Sequence, residues 1–204
     1  MRCKGDVIAL RIQQFLLLVL LISAGTTAAQ TETTDEHEQL RLFLEQSISD
    51  ADSFEDRFDA EVWLVAMSGR LERYVKEPAA RLDLLQDIHR YATRSEVPPE
   101  LVLAVIEVES HFDRFAVSRA GAQGLMQVMP FWKDEIGRPE DNLTHISTNL
   151  SYGCRILQFY LQREKGRIST ALARYNGSLG SRRYSDKVET AWRRSWRGEP
   201  LDWR

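Results

Sequence analysis

From residue 40 onward, apolar positions recur every three or four residues, and no stretch alternates long enough to make a useful strand. Leu40, Phe43, Leu44 and Ile48 form one helical stripe. Phe58, Val62, Val65 and Ala66 begin a second, continued by Leu71 and Val75 and ended by Pro78. Leu82, Leu85, Ile88 and Tyr91 or Ala92 mark a further helix ahead of Pro98-Pro99. A prolyl start then predicts a helix over Pro99 to Ser110, because a missing N–H is tolerated in a first turn. There are no internal repeats, so the pattern predicts an all-α chain with a short helical N-terminal extension before its main domain.

The N-terminus follows a different pattern. Arg2, Lys4 and Arg11 precede an apolar run from Phe15 to Ile22, and small residues ending Thr27-Ala28-Ala29 follow. Basic, apolar and small in that order is the arrangement of a secretory signal, with cleavage expected after Ala29. An apolar run of about ten residues is half of what a membrane span needs, so no stable span is expected after cleavage. The expected organisation is a signal peptide over residues 1–29, a polar leader and helical extension over 30–80, and a catalytic domain over 81–204 in a periplasmic protein. Cleavage would remove Arg2, Lys4, Arg11 and Asp6, taking the formal charge from −3 to −5. Cys3 would go with them, leaving Cys154 without a disulfide partner. Cys154 shares helical spacing with Leu150, Leu157 and Leu161 and reads as a small buried residue.

Composition narrows the function classes. The chain of 204 residues is 43% hydrophobic and 28% charged with a slight acidic excess, which excludes low-complexity classes and offers nucleic acid no basic surplus. His37, His89, His111 and His145 lack the spacing of a zinc site, and there is no GxSxG elbow, so neither a metal nor another cofactor is expected.

One residue is out of place. On a wheel of about 100° per residue, Leu101, Val102, Val105 and Ile106 fall on the side of Glu109, whereas Glu107 lies about 160° away. A carboxyl group at the end of an apolar stripe must be paired or have its pKa raised. A buried structural ion pair and a general acid held protonated by apolar surroundings both satisfy that requirement. After Ser110 the helical pattern stops, and Gly121 and Gly124 permit a tight loop that would expose main-chain donors to a polymer.

Glu109-Ser110, Gly124-Leu125-Met126-Gln127 and Ala173-Arg174-Tyr175-Asn176-Gly177 together resemble, in order and interval, the three motifs of the soluble-type lytic transglycosylase domain. The resemblance covers about Leu82 to Trp196 and implies a goose-type, lysozyme-like helical fold. It implies Glu109 as the sole catalytic acid and base, and Ser118 as a serine bonding near that carboxyl group or the substrate. Met126 and Gln127 would line the glycan cleft, with Tyr175 and Asn176 facing the glutamate across it. Tyr184 resembles a tyrosine of the family's last motif, the loosest of these matches. Arg114 stands where many members have proline, and Arg174 replaces a small or apolar residue.

The implied reaction is cleavage, without water, of the β-1,4 bond between N-acetylmuramic acid and N-acetylglucosamine in peptidoglycan, leaving 1,6-anhydromuramoyl ends. Glycosidases usually need two carboxylates. Glu107 faces away and Asp113 sits where Asp ordinarily bonds nearby backbone N–H groups, so a single-carboxylate route fits better. A goose-type hydrolase and a non-catalytic peptidoglycan-binding scaffold are the alternatives, and service to cell-wall machinery is compatible with each. Trp192 and Trp196, four residues apart, read as core packing.

Overall fold

A computed structural model of the chain describes residues 57–197, which form seven α-helices and a terminal π-helical turn. They are α1 (Arg57–Leu71), α2 (Pro78–Arg94), α3 (Pro99–Ser110), α4 (Trp132–Ile136), α5 (Ile146–Arg163), α6 (Ile168–Tyr175), α7 (Arg183–Ala191) and the π-turn Trp192–Trp196. Among the described residues β-structure is limited to two isolated bridges, Val117 with Gln123 and Gln123 with Val128, so the all-α expectation holds. The proposed signal peptide, the polar leader and the Leu40–Ile48 stripe lie outside the described residues.

Helix α3 is the axis of the assembly. Every residue from Leu101 to Ile106 is fully buried, so the helix is apolar on all sides rather than along one stripe. It packs between α2 on one side and α7 with the π-turn on the other. Helix α5 lies against α2 and α6. Cys154 is buried on α5, and burial pushes its thiol up to about 12, far from nucleophilic.

Helix α1 departs from the expected stripe. Its buried face is Ala60, Leu64, Met67 and Leu71, whereas Val62 and Val65 are exposed. Both sets carry helical spacing, and tertiary packing decides which of them is covered. Pro78 is the first residue of α2 as well as the end of the preceding stretch, so the boundary drawn at 80/81 falls inside that helix. Arg81, buried at the α1–α2 junction, donates to the carbonyls of Val75 and Lys76 at 3.0 and 2.8 Å, satisfying main-chain acceptors of the connection between the two helices. At the chain's other end Trp196 is fully buried and its indole donates to Glu107 Oε2 at 2.6 Å. Arg70 caps the π-turn by donating to Trp196 O at 2.9 Å.

Candidate active site

Glu109 is in the last turn of α3, where the helix leaves the core. His111 and Phe112 follow in left-handed conformation, with φ of 51° and 66°. Two such non-glycine residues in succession are held by packing, and the Phe112 ring lies 4.8 Å from Tyr74 and 5.5 Å from Trp196. The reversal carries the chain back across the end of α3 into the loop that contains Gly124–Gln127.

That loop is fastened by three helices and by its own Gln127. Ser110 Oγ lies 2.8 Å from Leu125 O. Asn149, 1% exposed on α5, accepts from Met126 N–H at 2.7 Å and donates to Gln123 O at 2.8 Å and Leu143 O at 2.7 Å. Tyr175, ending α6, donates from its hydroxyl to Met126 O at 2.7 Å. Gln127 Nε2 donates to Ala116 O and Gly124 O at 3.1 and 3.0 Å. Gly124 has φ of 74°, and a Cβ there would meet Asn149 and Leu143 O, so the turn requires glycine. The main-chain groups of Met126 are thereby taken by side chains of α5 and α6, which fixes the loop beside α3.

The structure treats the expected site residues differently. Tyr184, on α7, donates directly to Glu109 Oε1 at 2.6 Å, making the loosest sequence match the nearest partner. Tyr175 lies close enough for the glutamate's charge to raise its pKa further, while its hydroxyl is held by Met126. Asn176 is exposed at the C-cap of α6. Gln127 keeps its amide oxygen free of partners among the described residues. Met126 corrects the expectation of a cleft-lining side chain. It is fully buried, packs where Gly153 leaves room on α5, and reaches the site only through its carbonyl. Ser118 accepts from Ala122 N–H at 3.0 Å to close the loop tip and makes no bond to Glu109, so of its two expected roles the one toward the substrate is left.

Asn149 was not expected, although a polar residue between Ile146 and Leu150 on an apolar helix face was a visible signal. Arg174, the unusual residue beside Tyr175, forms an ion pair with buried Glu164, which Arg167 also pairs at 2.7 Å. These guanidiniums hold the Glu164 carboxyl below its usual range, and Arg174 thus anchors α6 to the end of α5.

Glu109 makes no ion pair among the described residues. Burial raises its pKa from 4.5 to about 7, and the Tyr184 hydrogen bond opposes that rise without cancelling it. The carbonyl end of α3 adds a field that disfavours an anion there. Tyr184 and Tyr175 are themselves driven well above 10, by burial first and the nearby carboxyl second, so both remain neutral donors. With Oε1 accepting from Tyr184, Oε2 is the oxygen left to carry and deliver a proton.

The nearest large depression is not this site. Its volume is about 620 Å3 and Glu107, Val108 and His111 line it, while Glu107 is already bonded to Trp196 and, at 3.3 Å, to Arg73. Asp113, exposed, accepts from Phe115 N–H at 2.9 Å and holds the turn after α3.

The Transglycosylase SLT domain family matches residues 86–195, more than half of the chain. The chain belongs to that family. Among its relatives, the "Membrane-bound lytic murein transglycosylase C" of Edwardsiella ictaluri is 33% identical over 113 residues, covering 48% of this chain and 32% of the relative. The "Membrane-bound lytic murein transglycosylase F" of Desulfosudis oleivorans is 30% identical over 105 residues, covering 50% and 23%. This SLT chain thus spans a third or less of the length of these curated relatives. A solved structure of lytic transglycosylase Slt from Pseudomonas aeruginosa, an inactive mutant, aligns with a TM-score of 0.43 at 24% identity, covering 59% of this chain and 24% of that one.

Proposed function

We propose that the SLT domain of this chain is a lytic transglycosylase that cuts the peptidoglycan glycan backbone. The observation that carries the reading is the setting of Glu109: a buried carboxyl group whose pKa burial raises to about 7, bonded to a neutral tyrosine and paired with no cation among the described residues. Binding alone does not require a proton donor in such a setting, whereas general acid catalysis does. Relatives of the same family that carry the name lytic murein transglycosylase support the substrate class.

Glu109 Oε2–H donates its proton to the glycosidic oxygen between N-acetylmuramic acid and N-acetylglucosamine, and the C1–O bond breaks as charge develops at C1. Tyr184 stays on Oε1 and steadies the carboxylate that remains. That carboxylate then takes the proton from the muramoyl C6 hydroxyl, whose oxygen closes onto C1, giving the 1,6-anhydro end and restoring the acid. A pKa of about 7 suits a group that must both give and accept this proton. The fixed loop Gly124–Gln127, with Gln127, Asn176 and the exposed rim around Ser118, forms the glycan-binding side of the cleft. Export through the N-terminal signal to the periplasm places the domain with that substrate. Among the described residues no helix is long and apolar enough to cross a membrane.

The test is mass spectrometry of purified sacculi digested with the protein. Anhydromuramoyl ends support the reading, and reducing ends would assign a lysozyme-like hydrolase instead. Glu109→Gln should abolish product release by at least about 100-fold with the fold retained.

A further inference from the structure

The surface beside the end of α3, past Glu107 and His111, carries a charge pattern that the cleavage reaction does not use. Two open depressions of about 620 Å3 each adjoin there and share Arg194 and Ser195. Lys76, Arg193, Arg194 and Arg197 line the pair together with Lys187, and none of the five makes an ion pair among the described residues. Arg70 and Arg73 line the second depression too, but are already engaged with Trp196 O and Glu107. Of the three carboxylates on the lining, Glu107 is bonded to Arg73 and Asp186 to Arg182 at 3.2 Å, leaving Glu72 alone against five cations. Among the described residues, positive charge without a paired carboxylate is therefore concentrated on one face of a chain whose formal charge is −3.

We infer that this face, built from the end of α1, the end of α7 and the π-turn, binds the phosphate groups of an anionic phospholipid surface. Guanidinium groups match phosphate oxygens in pairs, and a cluster of four or more such cations is the pattern that recognises anionic headgroups. The cations stand on long stems spread over two open hollows, and the described lining has no glycine-rich cradle of N–H groups to enclose one phosphate. That spacing suits an array of phosphates better than a single small anion. The inference is independent of the cleavage chemistry and stands or falls without it.

The test is co-sedimentation of the full chain with vesicles of phosphatidylcholine containing phosphatidylglycerol, against phosphatidylcholine alone. The comparison is between wild type, the triple variant Arg193→Gln, Arg194→Gln, Arg197→Gln, and a control triple of equal charge, Arg119→Gln, Arg163→Gln, Lys165→Gln, which lies outside both depressions. All three carry the same N-terminal residues, so any binding by the signal region is common to them. Circular dichroism confirms that each variant is folded. The expected result is phosphatidylglycerol-dependent binding that weakens with salt and falls at least about tenfold in the first triple but not in the control. Equal binding by the two triples would overturn the proposal, as would no dependence on phosphatidylglycerol. Displacement of the protein by millimolar glycerol phosphate, or binding to soluble polyphosphate as tight as to vesicles, would overturn the lipid assignment in favour of a soluble anion.

Discussion

Replacing Glu109 by Gln exchanges a titratable carboxyl for a neutral group of the same shape, and the pH dependence of folding stability then reports what burial does to the original. The folded pKa is about 7 against an ordinary value of 4.5. At 1.36 kcal/mol per pKa unit the gap corresponds to about 3 kcal/mol. Below about pH 4.5 folded and unfolded chains both hold the proton, and the group contributes no difference. Between about pH 4.5 and 7 the unfolded chain has released a proton that the folded chain keeps, so wild-type stability falls as pH rises. Above about pH 7 both states are ionised and the full penalty is present. Urea unfolding in steps from about pH 4 to about pH 8 measures this directly, as the stability of Glu109→Gln minus that of wild type. Effects of the amide that do not depend on pH, including its changed bond to Tyr184, appear as a constant offset. The variant should gain about 3 kcal/mol on wild type across the range, most of it between about pH 5 and 7. A difference flat to within about 0.5 kcal/mol, or one of opposite slope, would refute the raised pKa and with it the resting acid.

Three further outcomes follow from the same geometry. Tyr184→Phe removes the one interaction that lowers the Glu109 pKa, so the alkaline limb of the pH–rate profile for sacculus digestion should move to higher pH while the maximal rate drops about tenfold. Asn149→Ala strands Met126 N–H, Gln123 O and Leu143 O in the interior and should cost about 2–4 kcal/mol, read as a lowered midpoint in thermal unfolding. Gly124→Ala places a Cβ against Leu143 O and Asn149 at a positive φ, and a loss of at least about 2 kcal/mol with weakened activity is expected in the same assays.

The contrast between Glu109 and Tyr184 shows what the sequence could convey. Glu109 stood out because a carboxyl among Leu101, Val102, Val105 and Ile106 breaks a local pattern, and local patterns survive without a fold. Its contact with Tyr184 spans 75 residues and depends on how α7 packs against α3, which no periodicity encodes. The extent and start of α3 were legible from Pro99 and the apolar run, yet its burial on every side was not, because only neighbours decide which faces are covered. In α1 two sets of apolar residues have helical spacing, and packing chose Ala60, Leu64 and Met67 over Val62 and Val65, with Leu71 common to both. The motif around Met126 was visible, but that its carbonyl rather than its side chain faces the site follows from Gly153 and Asn149 on a distant helix. Arg174 looked like a departure until Glu164, ten residues earlier, supplied its partner.

Glu109, largely buried and bonded to Tyr184, holds its proton at a pH where most glutamates have lost theirs. Carbon-13 NMR of the glutamate side-chain carboxyls, assigned by the signal missing in Glu109→Gln, follows that proton directly. A titration midpoint near 7 is the predicted result. A midpoint at or below about 5, within the ordinary glutamate range, would contradict it.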